Sequence, residues 1–213
     1  AALEQPVDEE SALLVVLDLI AAERRYGAVA LPVTATRVAE RVTSYHGVGV
    51  IRTPTGPQAL AAASTAEGLI MAGDADGGFV IPSAGRFPDA MAALVALLGL
   101  IARTRISLRQ IDTRIPSTTL LRARVATPWA RKAAVMGQVR RAAGDLPVDV
   151  TEGVRVSEPD DSWVLISADP SDASVRLWVE SYDDGRAHEL MEHWTAVVRD
   201  AAAEDGAPAG ASR

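Results

Sequence analysis

Leu13, Leu14, Leu17, Ile20 and Ala21 recur at helical spacing, and Gly27 closes the segment they define. A helix is predicted there, starting at Asp8 or Ser11, either of which can cap it. The run Ala28-Val-Ala-Leu-Pro-Val33 is apolar throughout, the pattern of a strand covered on both faces. A helix over Thr36 to Tyr45 and a strand over Val48 to Thr53 follow. Pro54-Thr-Gly-Pro57 then opens an Ala-rich helix, and Gly68 to Ala72 reads as a third strand. Phe79 to Pro82 is predicted as a short strand or turn. Pro88 opens a helix to about Thr104, whose apolar run Met91 to Ala102 reads as buried and is too short to span a bilayer. Alternation of this kind predicts an α/β sandwich, with a mixed or parallel sheet and helices on both faces.

The pattern changes after Ile111. Ser117 to Val125 alternates as a strand, and Pro128 to Ala143 reads as a helix with Pro just inside its start. Strands are predicted at Val148–Val156, Trp163–Ser167 and Val175–Ser181, then a helix capped by Asp183 and running to about Ala202. This order predicts a smaller α+β domain with an antiparallel sheet. The expected division is residues 1–112, then 113–205, then a disordered tail from Gly206 to Arg213 that is rich in Gly, Ala, Ser and Pro.

With 213 residues the length suits two such domains, and 4% aromatics means cores filled mainly by Ala, Val and Leu. The absence of Cys excludes disulfides, thiolate catalysis and Cys-ligated zinc, and fits a cytoplasmic location. A net charge of −7 argues against nucleic acid or an anionic membrane as partner. The chain opens on Ala1 without Met, which reads as a piece of something longer.

Several segments together resemble a known family. Leu31-Pro-Val-Thr-Ala-Thr-Arg37-Val, Val50-Ile-Arg-Thr-Pro-Thr-Gly56 and Gly73-Asp-Ala-Asp-Gly-Gly-Phe79, with the apolar helix behind them, resemble the third domain of the α-D-phosphohexomutases. Val125-Ala-Thr-Pro-Trp-Ala-Arg-Lys132, Glu152-Gly-Val-Arg-Val156, Ser162-Trp-Val-Leu165 and Val175-Arg-Leu-Trp-Val-Glu180 resemble the fourth, in the same order. The resemblance implies a four-domain enzyme with a phosphoserine loop, a magnesium loop, a sugar-hydroxyl loop and a phosphate-clamping loop. The first two have no counterpart in this sequence. Phosphoryl transfer depends on positioning and charge neutralisation, so no catalytic residue and no cofactor is expected here; magnesium belongs only to a full-length active relative.

Asp74-Ala-Asp76 falls short of a magnesium loop, because Ala72 replaces the first carboxylate of an alternating triad. On the resemblance, Asp74, Asp76, Gly77 and Gly78 align with the sugar loop, working or vestigial; a plain acidic turn stays open as the alternative. Ser167, Asp169, Ser171 and Asp172 align with the phosphate clamp, expected to be an exposed loop. There Ser167 replaces the family's Arg and Asp169 its Ser, so the loop has lost a cation and gained an anion. Arg176 is expected to make a surface or structural pair. His188 and His193 sit five apart, about 140° around a helix, which does not fit a zinc pair. His46 reads as a helix C-terminal residue that favours the dipole, and Trp129, Trp163, Trp178 and Trp194 as core or rim anchors.

The favoured reading is a degenerate, non-catalytic phosphohexomutase-like module of a larger sugar-phosphate or sugar-nucleotide enzyme, including a mannose-1-phosphate guanylyltransferase-type fusion. The alternative is the substrate-binding half of an active phosphohexomutase. A sugar phosphate and upstream domains of the same chain are the expected partners.

Overall fold

A computed structural model describes residues 9–104, 111 and 114–203. The expected Asp8 cap, the residues at 112–113 and the 206–213 tail lie outside the described residues. The chain divides into two compact units between Ser117 and Thr118, a few residues beyond the division expected from the sequence.

The first unit is built on a parallel sheet with strand order β2-β1-β3, from β1 (Ala28–Pro32), β2 (Gly49–Thr53) and β3 (Leu69–Ala72). Helices α1 (Glu9–Arg24), α2 (Val38–Ser44), α3 (Pro57–Ala63) and α4 (Ala90–Thr104) surround it. Alternation along β1 sorts the core: Val29 and Leu31 join Leu13, Leu17, Val38 and Leu100 in one cluster. Ala30 and Ala72 pack with Leu60 of α3 and Val80 in another. The sheet therefore carries helices on both faces, the α/β sandwich the pattern predicted. Gly27 joins the strands at their starts. Its φ is +87°, and an added Cβ would sit 2.3 Å from the Gly68 carbonyl oxygen, so only glycine fits. The Phe79–Pro82 segment contributes a single antiparallel bridge, Ala72 to Val80.

Arg52, near the end of β2, saturates its guanidinium. Its Nε and Nη2 donate to the Glu40 carboxylate at 2.8 and 2.7 Å, and its two Nη atoms donate to the carbonyls of Pro32, Ala35 and Thr36 at 2.9 Å. This fork fixes the turn between β1 and α2, whose Thr36 Oγ1 accepts from the Val38 N–H.

Two readings of this unit need correction. The apolar run of α4 is not a buried helix, for Leu100 is its only fully buried residue; Met91, Leu94, Val95 and Leu98 are exposed. Leu97, Leu100 and Ile101 suffice to seat α4 on the core, leaving the other apolar side uncovered by the described residues. His46 does more than favour a dipole: its Nε2 lies 2.8 Å from the buried Asp18 carboxylate of α1. Asp18 interrupts an otherwise apolar helix, and His46, with Arg114 at 3.7 Å from the other carboxylate oxygen, offsets the cost of its burial.

The second unit is an antiparallel sheet of order β4-β8-β7-β6-β5 with α5 (Lys132–Ala142) and α6 (Asp184–Ala203). Its strands are β4 (Thr119–Ala126), β5 (Val148–Asp149), β6 (Val154–Ser157), β7 (Trp163–Ala168) and β8 (Ser174–Ser181). One face offers Val125, Val154, Val156, Val164, Ile166, Val175, Leu177 and Val179 to Val135 and Val139 of α5 and Leu190, Trp194 and Val198 of α6. The Arg186 N–H donates to Asp183 Oδ1 at 2.7 Å, the cap the sequence predicted. The expected strand over Val148–Val156 is instead the tight hairpin β5–β6, turned at Gly153 with φ +79°. Alternation continues across the turn, which hides it from a reading by period. The helix expected from Pro128 begins as a 3-10 turn, Trp129–Arg131, before α5.

Candidate functional site

The loop after β3 folds around its own acid. Asp74 Oδ1 accepts the Gly78 N–H at 2.8 Å, and the Gly77 N–H reaches the Asp74 carbonyl at 3.3 Å. Gly77 has φ +86°, which lets the chain reverse there. Asp74 is half-buried, and Asp76 and Gly77 are exposed. The Asp74 carboxylate thus holds the turn, with Gly78 pressed against it; Asp76 is the acid presented outward. Among the described residues no three His, Cys, Asp or Glu side chains could hold a metal together. Ala72, at the position of a magnesium loop's first carboxylate, is a buried core residue.

The loop from Ser167 to Ala173 departs from the exposed clamp expected of it. Ser167 is 5% exposed and Asp169 6%, while Ser171 and Asp172 are exposed. Ser167 closes the buried end of β7 opposite Arg176 of β8. Asp169 Oδ1 accepts the Ser171 N–H at 2.9 Å, and its Oδ2 lies 3.5 Å from Arg176 Nε and 3.6 Å from an Arg124 Nη. Arg124 also pairs with Asp172 at 3.0 Å. Below the loop, Lys132 donates to the carbonyls of Asp169 and Asp172 while its Nζ rests 3.3 Å from the centre of the Trp129 ring. Cations nonetheless stand at the loop from other positions. Arg124, Arg176 and Lys132 surround it, and its own carboxylates and carbonyls engage them.

Of the residues expected to act together, Asp169 and Asp172 share Arg124, and Asp74, Gly77 and Gly78 share one turn. Arg176 makes the structural pair foreseen for it. Lys132 and Arg124 went unassigned in the sequence. Arg122-x-Arg124 within a period-two strand was a usable signal, because it puts both guanidiniums on one face. Trp163 is wholly buried, its indole N–H donating to Glu180 at 2.6 Å, and Thr118 donates to the same carboxylate at 2.8 Å. Trp194 is core, whereas Trp129 is exposed and serves as the platform for Lys132. His188 Nδ1 lies 2.8 Å from the Asp184 carbonyl within its own helix, and His193 meets the edge of Trp194, so neither forms a metal pair.

The Ser171 N–H, then Arg176 and Arg124, hold the Asp169 carboxyl below the ordinary Asp range, against the opposing effect of burial. A depressed folded value means the unfolded chain binds the proton more readily. The stabilisation is then full above about pH 3.9, the free Asp value, and is lost as pH falls through the lower folded value. Asp169→Asn should accordingly be less stable than wild type at pH 7, with the gap closing below about pH 3.9. Urea midpoints across that range measure it, and a gap that does not depend on pH would refute it.

Residues 8–118 match the family model described as phosphoglucomutase/phosphomannomutase, alpha/beta/alpha domain III. The chain is 31% identical over 194 residues to a probable phosphoglucosamine mutase of Methanopyrus kandleri, covering 89% of this chain and 42% of that relative. It is 29% identical over 160 residues to a probable phosphoglucosamine mutase of Thermococcus gammatolerans, covering 73% of this chain and 35% of that one. The chain thus spans about two fifths of the length of the curated relatives it matches. Among solved structures, a phosphoglucomutase/phosphomannomutase family protein of Burkholderia thailandensis superposes with TM-score 0.76 at 18% identity, over 95% of this chain and 43% of that one. An N-acetylphosphoglucosamine mutase of Aspergillus fumigatus, solved with GlcNAc-6P and magnesium, gives 0.61 at 12% identity, over 92% and 44%. At these identities the structures speak for the fold. Among the described residues no helix is long and apolar enough to cross a membrane.

Proposed function

The chain belongs to the phosphoglucomutase/phosphomannomutase family, and from that premise we propose that it is a phosphoglucosamine mutase-like module that does not transfer phosphoryl groups by itself. One observation carries this reading: the carboxylate of Asp169, in the loop aligned with the phosphate clamp, holds Arg124 and Arg176. A phosphate dianion entering that loop must displace a buried anion from its cations and then lie beside it. Like charges about 4 Å apart repel by about 1 kcal/mol even in water, and by more in a cleft. No Ser-His-Asn-Pro-like segment stands in the sequence to accept a phosphoryl group. A sugar phosphate remains the partner favoured by the relatives' names. Those names are mutases, and the guanylyltransferase-type fusion draws no support from them.

The test is a coupled mutase assay with glucosamine 6-phosphate, magnesium and a hexose bisphosphate. Turnover at background is expected, and turnover clearly above it would overturn the reading. A second reading is favoured by the 31% identity to a phosphoglucosamine mutase: the chain as the substrate-side half of an active enzyme. Turnover that returns when the serine- and metal-loop domains of such a mutase are added in trans would establish that one instead.

A further inference from the structure

Helix α4 is seated on the first unit by one side and left bare on the other. Phe87, just before it, and Met91, Leu94, Val95 and Leu98 along it are all exposed. Met91, Leu94, Leu98 and Ala102 follow one another at intervals of three and four, so they form one stripe on the uncovered side. No charged or polar side chain interrupts α4 from Ala90 to Ala102. The charges stand at its two ends. Asp89 Oδ1 accepts the Met91 and Ala92 N–H groups at 3.0 Å, capping the first turn, and Arg103 in the last turn pairs with Glu23 of α1. An apolar cavity of about 240 Å³, lined by Leu94 and Leu97 with Phe79 and Ile81, opens along one edge of the stripe.

We propose that α4 is the seam of a homodimer, packed antiparallel against α4 of a second copy of this chain. The charged ends select this direction. Antiparallel helices bring the acidic start of one beside the basic finish of the other, whereas parallel ones set Asp89 against Asp89 and Arg103 against Arg103. Pairing Asp89 with Arg103 of the second copy puts the two-fold axis at Ala96. Leu94 then lies across from Leu98 and Met91 beside Ala102, so the stripe maps onto itself, as an isologous contact requires. With Phe87, two copies take about 1,000 Å² out of water, near the lower bound of a specific interface. Composition also favours a second copy over another domain of a longer chain. Contacts between domains are comparatively polar, while homodimer interfaces resemble a core cut in half. A face of this length without a charge is of the second kind. The dimer depends on neither reading of turnover.

The experiment is analytical ultracentrifugation of the whole chain from about 0.1 to 100 μM, a range that brackets the micromolar association expected at this size. Twice the chain mass is expected at the upper end. Leu98→Glu puts a carboxylate into the seam twice and should weaken association by about a hundredfold. Its far-ultraviolet dichroism should stay that of wild type, because Leu98 is exposed in the single chain. The chain has no Cys, so introduced cysteines report the contact without background. Met91→Cys and Ala102→Cys chains, mixed and oxidised, should form the mixed disulfide. Met91→Cys alone should not, for its two sulfurs stand about 15 Å apart along an antiparallel seam. A chain that stays monomeric across the range, or a Leu98→Glu chain that associates as wild type does, would overturn the dimer. So would displacement of the second copy by the serine- and metal-loop domains of a phosphoglucosamine mutase, which would assign α4 to them. A disulfide from Met91→Cys alone would overturn the antiparallel register.

Discussion

Arg52→Met is expected to destabilise the first unit by about 3 kcal/mol or more, because it removes at once three charge-assisted hydrogen bonds to the carbonyls of buried residues. The Arg52 side chain is 12% exposed, whereas that of Glu40 is 42% exposed. Water can therefore reach the Glu40 carboxylate once its partner is gone, and the lost ion pair is the smaller part of the cost. The carbonyls of Pro32, Ala35 and Thr36 belong to buried residues; that of Pro32 keeps the Ala35 N–H at 3.0 Å, and all three lose the guanidinium. Methionine keeps much of the packing of the stem, so the effect isolates the guanidinium. Arg52→Lys should recover only part of it, for an ammonium cannot reproduce a fork that spans a carboxylate and three carbonyls. All four Trp residues lie in the second unit, so their fluorescence reports that unit alone. The loss should appear in the far-ultraviolet dichroism transition in urea, with a smaller or no shift in the fluorescence transition. A dichroism transition that coincides with wild type would sink the claim.

The elements could be read from the sequence where period and punctuation agree. Gly27 before the apolar Ala28–Val33 run, Pro57 at the start of α3 and Asp183 at the head of α6 each mark a boundary by a local steric or hydrogen-bonding cause. The β5–β6 hairpin was hidden, because Val148, Val154 and Val156 keep an alternating phase across the turn and only Gly153 breaks the run. The exposure of α4 was hidden for a different reason. A sequence shows that a helix is apolar all round, but not how many of its faces the fold covers. The candidate loops were located by resemblance, and their chemistry followed from tertiary pairing. The substitution of Ser167 for Arg removes a cation from the aligned position, and the sequence did not show that Arg124 and Arg176, on separate strands, stand beside Asp169. The same pairing changes the engineering outlook. Ser167→Arg would insert a cation at a buried position opposite Arg176, so removing the Asp169 carboxylate is the gentler route to anion affinity.

Gly153→Val should destabilise the second unit by about 4 kcal/mol, from two causes that add. The first is conformational: Gly153 has φ +79°, where an L-residue costs about 1–2 kcal/mol and a β-branched one lies at the upper end. The second is steric and larger. A Cβ at this position would stand 2.3 Å from the Ile166 carbonyl oxygen and 2.9 Å from the Ser167 Cα. Both belong to β7, the central strand of the sheet, held by β6 on one side and β8 on the other. No flexible side chain is there to swing aside, so the hairpin or the strand must shift and give up ladder hydrogen bonds. A shift at Ser167 also moves the start of the loop that positions Asp169 against Arg124 and Arg176. The variant should therefore lower the tryptophan-fluorescence midpoint in urea and disturb the amide signals of residues 167–172 even while folded. Gly153→Ala should show the same pattern at smaller size, since the clash begins at Cβ. If Gly153→Val loses less than about 1 kcal/mol, the turn has room the structure does not show, and the close packing of this hairpin against β7 is wrong.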